Sequence, residues 1–449
     1  MAIHSSHTRK LVLNVQGEHC HLRPSTERRF FMSTSTLYNI EQPLRLVDDL
    51  QFLATMVDTD SAGWTREALT EIDVVGRQWI RKRMADAGLE TRIDGAGNVI
   101  GLLRGSTPGA GTIMTGSHTD TVEGGGRFDG NVGVAAALEV VRSLRATGIT
   151  LAHDLLVVDF FSEEPNRFGL SCVGSRALTG NLTAAHLDST DPQGRRFGDV
   201  LHLAGVDPHE ILGARIDTGT IKAFVELHIE QGPFLEEQGS DIGLVTSISG
   251  IKRFHAAFRG RRDHAGTTPM NRRRDAGCAA AGSVLAIEQI ASAHADGRGT
   301  TGLVTFSPEA VNVVTEQAHL WGEFRSPDLT WLTDAAAQFA DAAAHQGATR
   351  SVDVELDWLP SERPAVMEPT LIDACSTVTD RLGLRQSRLY SGAEHDAAII
   401  AKSIPTAMIF VPSVDGRSHC PDELTNDKDI VAGANVLLNS IITIDHSIA

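Results

Sequence analysis

The stretch Leu155-Leu-Val-Val-Asp-Phe-Phe-Ser-Glu-Glu164 joins an apolar run of strand length to two adjacent carboxylates. Shorter apolar runs at Asn98–Leu103 and Thr112–Met114 come before it, and Val132–Leu144 has the periodicity of a helix. This alternation of strand, loop and helix predicts an α/β fold, a mixed sheet with helices on its faces. Because open α/β sheets place their sites at the carboxyl ends of strands, the polar residues that follow these runs are candidate site residues.

A different order of elements occupies the middle of the chain. Strand-like runs and two alanine-rich helices follow one another there at Ser247–Ile251, Arg253–Phe258, Ala276–Ala293, Gly302–Phe306, His319–Phe324 and Leu332–Gln346. This order is typical of a small α+β two-layer sandwich with one open sheet face. We therefore predict that residues 245–359 form an inserted domain, which divides a catalytic domain of residues 33–244 and 360–449. Residues 1–32 are basic and polar without a signal-peptide core, and we predict a disordered extension.

The bulk composition narrows the class of protein. The 449 residues are 41% hydrophobic, which allows a large core and more than one domain. A formal charge of −17 argues against nucleic acid or an anionic membrane as partner, and no apolar stretch reaches the roughly 20 residues of a membrane span. The five cysteines are dispersed and form no Cys-x-x-Cys pair, so we predict a reduced, cytoplasmic protein without disulfides or a thiolate zinc site.

Six short segments carry the histidines and carboxylates that a two-metal hydrolytic centre needs. Such a centre holds two divalent cations through imidazole nitrogens and carboxylate oxygens, and it leaves one further carboxylate free as a base. The segments are Gly116-Ser-His-Thr-Asp120, Gly126-Arg-Phe-Asp-Gly130, Phe161-Ser-Glu-Glu164, Leu227-His-Ile-Glu-Gln-Gly232, Asp263-His-Ala-Gly266 and Arg417-Ser-His-Cys-Pro421.

The residues themselves predict roles for part of this set. Asp120 lies two residues beyond His118 and is expected to accept the second imidazole N–H, which would fix the ligating tautomer. Asp129 lies among glycines that leave the backbone free to turn, and it is expected to bridge two ions. Glu163 and Glu164 point in different directions, so one can bind metal while the other accepts a proton from water. Taken singly, each could instead be a turn aspartate or a solvated glutamate.

Two further segments complete these expectations. In the segment that contains His228, Gln231 offers an amide that both donates and accepts hydrogen bonds, which suits a urea-like group. His419 would complete the ligands of the second metal. Taken alone, a histidine of this kind is more often structural than a metal ligand.

Taken in order, the segments resemble the M20 peptidase superfamily, and within it the amidase branch of N-carbamoyl-L-amino acid hydrolases, β-ureidopropionases and allantoate amidohydrolases. The resemblance extends from about Ile40 to the C-terminus. His228–Gly232, His264–Met270 and Ser391–Ala397 carry it most specifically. It implies a zinc-peptidase-like catalytic domain and an inserted dimerisation, or lid, domain.

The resemblance implies a ligand set for two ions per subunit. His118, Asp129 and His228 would bind one ion, and Asp129, Glu164 and His419 would bind the other. Zn²⁺ is the first expectation, and such ligands also accept Mn²⁺, Co²⁺ or Ni²⁺.

Roles for the remaining site residues also follow from the resemblance. Glu163 would be the general base, and His264 would reach the neighbouring subunit's site to stabilise the oxyanion. Asn312 and Arg325 would hold the substrate α-carboxylate, for which a guanidinium fork is geometrically suited. His395 would lie near the leaving or carbamoyl group.

The implied activity is hydrolysis of the carbamoyl C–N bond of a small N-carbamoyl-L-amino acid by a homodimer, yielding the amino acid, carbon dioxide and ammonia. Allantoate, or another N-acyl amino acid, is the alternative substrate on this scaffold. A binding protein that kept the fold without the chemistry is the alternative class. The chain departs from the family pattern at Glu394, which is commonly glycine, at Pro165–Arg167 and at Arg417, all close to where substrate choice is decided.

Overall fold

The computed structural model describes residues 36–448, so the extension predicted for residues 1–32 lies outside the described residues. The α-helices are α1 (Pro43–Leu53), α2 (Glu71–Asp86), α3 (Asn131–Thr147), α4 (Val173–Leu178), α5 (Ala184–Leu187), α6 (Phe197–Val200), α7 (Phe234–Gln238), α8 (Ala276–Ser292), α9 (Leu329–Arg350), α10 (Pro369–Arg381), α11 (Asp396–Ile400) and α12 (Asp427–Ser447). Short 3₁₀ turns lie at Leu201–Ala204, Ile211–Gly213, Thr218–Thr220, Met270–Arg272 and Val414–Gly416. Within the described part of the chain, no helix is long and apolar enough to cross a membrane.

The strands form two sheets. They are β1 (Glu90–Ile93), β2 (Val99–Leu103), β3 (Thr112–His118), β4 (Asp154–Phe160), β5 (Ile221–Ile229), β6 (Ile242–Ile248), β7 (Gly250–Arg259), β8 (Arg298–Ser307), β9 (Gln317–Ser326), β10 (Asp353–Trp358), β11 (Ala365–Val366), β12 (Gln386–Ser391) and β13 (Thr406–Val411).

The larger sheet is mixed, as predicted. Within residues 36–448 it has nine strands in the order β1-β2-β4-β3-β5-β13-β6-β11, with β12 paired to β6. Strands β4, β3, β5 and β13 are parallel neighbours, while β2 and β6 flank them in antiparallel pairing. Because the four central strands run the same way, their carboxyl ends meet at one edge of the sheet.

Two long helices cover the centre of this sheet. Helix α3 packs on β3, β4 and β5, and α12 contacts α3, β5 and β13. Val132, Leu138 and Val141 of α3 are fully buried, and each contributes about 1.5–3 kcal/mol to folding. The helix begins directly after Gly130, so this packing also anchors the loop that precedes it.

The second sheet is antiparallel, with the order β10-β7-β9-β8. Helices α8 and α9 pack on one of its faces, around a core that includes Phe254, Phe324 and Phe339. The α+β sandwich predicted from the sequence is therefore confirmed as a fold, whereas its division into a separate domain stays a prediction. The run predicted at Ser247–Ile251 is divided between the sheets, because β6 ends at Ile248 and β7 begins at Gly250.

Candidate metal centre and active site

Four parallel strands bring the candidate ligands to one edge of the larger sheet. Strand β3 ends at His118, and Glu163 and Glu164 follow β4 closely. His228 lies next to the end of β5, and the loop after β13 carries His419. The predicted ligands therefore reach one place because the strands that carry them are parallel neighbours.

His118, Asp129 and His228 form the first cluster, with one ligand atom of each lying within 4.8 Å of the others. The Asp129 Oδ1 atom is 3.0 Å from Nε2 of His228 and 3.8 Å from Nε2 of His118. The Nδ1 atoms lie 3.0 Å from the carbonyl of Asp120 and 2.9 Å from that of Ile229. Because a carbonyl oxygen only accepts, we assign the ring hydrogen to Nδ1, which leaves the lone pair of each Nε2 as the atom that can bind a metal. In His228 this Nε2 accepts the backbone N–H of Gly130 at 3.2 Å.

Asp129, Glu164 and His419 form the second cluster, also within 4.8 Å. The His419 Nε2 atom is 3.1 Å from Oδ2 of Asp129 and 3.1 Å from Oε1 of Glu164. Asp129 therefore turns one carboxylate oxygen to each cluster. Nitrogen and oxygen donors in this arrangement fit two divalent ions that share a carboxylate.

Residues outside both clusters hold Asp129 in this orientation. The Gln231 amide donates to Oδ2 of Asp129 at 2.6 Å, and the Ser418 hydroxyl lies 3.0 Å from the same oxygen. Burial would raise the pKa of Asp129, but the adjacent rings of His228 and His419 hold it well below its usual range.

Glu423, which the sequence analysis did not single out, supports the same loop. Its Oε1 accepts the backbone N–H groups of Phe128 and Asp129, at 2.9 and 3.1 Å. Its Oε2 accepts the Ser418 hydroxyl at 2.7 Å. Because Phe128 and Asp129 lie almost 300 residues earlier in the sequence, no local pattern identified this contact.

The buried Arg66 ties the loops of the first cluster to the core. Its guanidinium donates to the carbonyls of Thr119 and Leu53, at 2.8 and 2.9 Å. It also donates to Oδ1 of Asn131 at 2.8 Å, and the Asn131 amide donates to the Asp129 carbonyl at 2.9 Å. No sequence pattern identified this residue, because these three partners come from separate segments of the chain.

Asp120 meets His118 through a different atom than predicted. The backbone carbonyl of Asp120 accepts from the ring, while the nearer carboxylate oxygen is 3.8 Å away. The carboxylate instead accepts the backbone N–H groups of Glu163 and Glu164, at 3.2 and 3.1 Å. Strands β3 and β4 are neighbours, so the turn after one lies against the loop after the other. Burial raises the pKa of Asp120 to about 7.

Glu163 lies beside the first cluster but belongs to neither. Its Oε2 is 3.5 Å from Nε2 of His118, and its Oε1 accepts the thiol of Cys172 at 3.6 Å. Burial, together with the charge of Glu164, raises the pKa of Glu163 well above its usual value. Glu163 is therefore the carboxylate left free of both clusters.

A cavity of about 100 Å³ opens onto the clusters. The predicted residues that line it are His118, Asp129, Glu163, Glu164, Gln231, Arg325, His395 and His419. The other lining residues are Pro165, Ser171, Ile251, Arg253, Ala393 and Glu394. Of these, Pro165 and Glu394 are positions at which the chain departs from the family pattern.

One end of the cavity carries a net positive charge. Glu323 lies between two guanidinium groups, with Nε of Arg325 at 2.5 Å and Nε of Arg253 at 3.0 Å. Arg325 also donates to the Gly392 carbonyl at 3.2 Å. Two arginines and one glutamate leave one positive charge, which suits one substrate carboxylate. Arg253 and Glu323 are cross-strand partners on β7 and β9, and only the strand register brings them together.

His395 also lines the cavity and is buried. Its Nε2 atom is 2.9 Å from the Ser391 hydroxyl, and its ring centre is 4.5 Å from that of His228. Burial and the nearby His228 hold the pKa of His395 well below its usual value.

His264 and Asn312 do not line this cavity. Both are exposed, and a short β-bridge joins their loops. The Nδ1 atom of His264 accepts the N–H groups of Gly266 and Thr267, at 3.0 and 3.2 Å, which places the ring hydrogen on the outward Nε2. The predicted carboxylate pair is therefore divided within one chain, because Arg325 lines the cavity and Asn312 does not.

The chain is similar to known proteins over most of its length. Residues 114–443 match the sequence profile of Peptidase family M20/M25/M40. An N-carbamoyl-L-amino acid amidohydrolase of Geobacillus stearothermophilus is 36% identical over 402 residues, which cover 88% of this chain and 97% of that protein. A ureidoglycolate hydrolase of Oryza sativa subsp. japonica is 35% identical over 400 residues, covering 88% and 82%. The crystal structure of an amidase of the hydantoinase/carbamoylase family from Burkholderia multivorans superposes with a TM-score of 0.81 at 35% identity, covering 90% of this chain and 98% of that one.

Proposed function

Because this chain belongs to peptidase family M20/M25/M40 and is an amidohydrolase acting on carbon–nitrogen bonds, we propose that it cleaves the carbamoyl C–N bond of an N-carbamoyl-L-amino acid at a dinuclear metal centre. One observation carries the proposal. Asp129 turns its two oxygens to two clusters of ligands, and the unclustered Glu163 lies in the same cavity.

In this proposal each cluster holds one divalent ion. The first comprises His118, Asp129 and His228, and the second comprises Asp129, Glu164 and His419. When bound, the ions supply Lewis acidity towards a carbonyl oxygen and a water molecule. Zn²⁺ is the first expectation for a mixed imidazole and carboxylate set, with Mn²⁺, Co²⁺ or Ni²⁺ as substitutes.

Glu163 carries the proton through the reaction. It accepts a proton from the attacking water, while the water oxygen forms a bond to the carbamoyl carbon. The bond between that carbon and the amino acid nitrogen then breaks, and Glu163 returns the proton to the nitrogen. The products are the amino acid and carbamate, which decomposes to carbon dioxide and ammonia.

The positive end of the cavity orients the substrate. Arg325 binds the α-carboxylate through a guanidinium edge, and Arg253 adds charge from the neighbouring strand. The amide of Gln231 and the ring of His395 lie on the walls next to the clusters, where the carbamoyl group would sit. Fixing both ends of the substrate places its carbamoyl carbon beside Glu163.

We extend the proposal to a homodimer in which His264 and Asn312 complete the partner's site. Both side chains are exposed and lie outside their own chain's cavity. Strand β8 is an edge strand, and its Leu303 and Phe306 are 52% and 44% exposed. An unpaired edge with exposed apolar residues favours association with a second copy. Three further expectations stay predictions: a cytoplasmic location, no nucleic-acid partner and no membrane partner.

The proposal is tested with a substrate panel on protein loaded with Zn²⁺ or Mn²⁺. The panel contains N-carbamoyl-L-amino acids, ureidoglycolate, allantoate and N-acetyl amino acids, and ammonia and free amino acid are both measured. We expect equal amounts of ammonia and amino acid from the carbamoyl compounds, and no turnover after chelation. Turnover of N-acetyl amino acids above every ureido compound would contradict the proposed substrate class and support the alternative acyl amino acid hydrolase.

A further inference from the structure

The lining of the cavity is mostly polar. Among the residues that line the cavity, apolar side chains come only from Pro165, Ile251 and Ala393. Binding sites for apolar groups are usually lined by several large hydrophobic side chains. A bulky hydrocarbon substituent therefore finds little to pack against here.

Glu394 is a charged residue of this lining that belongs neither to the two clusters nor to the arginines of the positive end. Its Oε1 accepts from Arg176 at 3.0 Å, and its Oε2 accepts the Ser171 hydroxyl at 2.9 Å. A carboxylate offers roughly four acceptor directions, so about two remain unused. The side chain is 13% exposed and lines the cavity, which leaves the unused directions available to a bound substrate.

The charge of Glu394 is balanced by a chain of ion pairs outside the cavity. Arg176 also pairs with Glu362 at 2.8 Å, and Glu362 pairs with Lys402 at 2.7 Å. Two basic and two acidic groups alternate and cancel. Glu394 therefore needs no cation from the substrate, and the group that complements it best is a neutral hydrogen-bond donor.

The position of Glu394 determines which part of the substrate it meets. Arg325, the proposed carboxylate anchor, donates to the Gly392 carbonyl, only two residues from Glu394. The ring of His395, the residue after Glu394, meets the ring of His228 of the first cluster edge to face, with 4.5 Å between the ring centres. A substrate held by its carboxylate at one end and its carbamoyl group at the other places its α-carbon along residues 392–395.

We infer that Glu394 selects ureido acids whose α-carbon substituent carries an O–H or N–H donor over those with an apolar substituent. The inference rests on the proposed function and specifies its substrate class. A donor would form a charge-assisted hydrogen bond with the carboxylate. An apolar group would remove water from the same oxygens without replacing it, so we expect a preference of about 10- to 100-fold in kcat/KM.

The test uses substrate pairs that have the same shape and differ in the donor. N-carbamoyl-L-serine is compared with N-carbamoyl-L-2-aminobutyrate, and N-carbamoyl-L-asparagine with N-carbamoyl-L-leucine, on the metal-loaded enzyme. Glu394→Gly restores the residue common in the resembling family, and Glu394→Gln keeps size and hydrogen bonding without the charge. Glu362→Gln is the matched control, because it breaks the same ion-pair chain away from the cavity.

We expect the wild-type enzyme and Glu362→Gln to prefer the donor substrate of each pair. In Glu394→Gly the ratio should fall at least tenfold, and in Glu394→Gln it should fall by a smaller factor. If Glu394→Gly slows all four substrates equally, or if Glu362→Gln shifts the ratio as much, Glu394 only positions the loop and the inference is overturned. If Glu394→Gly does not fold, Glu394→Gln with an unchanged ratio overturns it as well. A wild-type preference for the apolar substrates overturns this inference alone, whereas no turnover of any ureido acid overturns the proposed function.

Discussion

Replacing Glu423 tests how strongly the centre depends on a residue outside it. The side chain is 3% exposed and accepts three hydrogen bonds, from the N–H groups of Phe128 and Asp129 and from the Ser418 hydroxyl. Glu423→Ala removes all three acceptors. Glu423→Gln keeps one oxygen for the two N–H groups and turns an amide N–H towards the Ser418 oxygen.

The contacts set the expected magnitude. A buried N–H group left without an acceptor costs about 1–3 kcal/mol. Two such groups are exposed to a vacated space that a water molecule can enter, so the free energy of unfolding of Glu423→Ala should fall by about 2–4 kcal/mol. Because Asp129 loses its support, the metal affinity should fall about 10- to 100-fold. Glu423→Gln should lose less than about 1 kcal/mol and less than about tenfold in affinity.

Two measurements check these values. Urea unfolding in the presence of a chelator reports the stability of the metal-free protein, and competition with a chromophoric chelator reports metal affinity. Asp422→Ala is the matched control, because this neighbouring side chain is 68% exposed and should change stability by less than about 0.5 kcal/mol. The reasoning is refuted if Glu423→Ala keeps wild-type stability and affinity. Equal losses in the Gln and Ala variants would show that charge, rather than hydrogen bonding, supports Asp129.

Three further outcomes are expected. Glu163→Gln should keep both ions in metal analysis and lose about 10²–10⁴ in turnover, and loss of an ion would reverse the roles given to Glu163 and Glu164. Arg325→Ala should weaken substrates with a free α-carboxylate by about 2–5 kcal/mol while sparing their methyl esters, and equal effects on acid and ester in binding assays would exclude this contact. Inactive His264→Ala and Glu163→Gln subunits, dissociated and mixed, should recover part of the activity, since some heterodimers contain one intact composite site. No recovery despite proven subunit exchange would exclude a shared site.

The positions of His118, Glu163 and Glu164 at strand ends could be predicted from the sequence because they depend on local patterns, whereas the two ligand sets were predicted from the family resemblance. An apolar run before His118, and another before Glu163 and Glu164, are each enough to predict a strand followed by a site residue. Parallel neighbours then bring the strand ends together. The second sheet was predictable for the same reason, since its strands and alanine-rich helices are regular and of ordinary length.

The atoms that make each contact could not be predicted. A spacing of two residues lets either the carbonyl or the carboxylate of Asp120 meet His118, and the loop after β4 decides between them. Glu423 supports Asp129 across almost 300 residues of sequence, and no local pattern encodes such a contact. Arg325 lies on β9 and lines the cavity, whereas Asn312 lies in the loop before β9 and does not. The spacing of the two residues in the sequence does not predict this difference.

The order of the cluster residues along the chain determines how early each cluster can form during synthesis. All three members of the first cluster have been made once residue 228 is complete, but the second waits for His419, about 190 residues later. At about 5–20 residues per second, roughly 10–40 s of translation separate the two events. Strand β5 lacks its neighbour β13 for nearly as long. The nascent chain therefore contains every residue of the first cluster while β5 still lacks its neighbour β13, and the residues of the second cluster are complete only after β13 has been made.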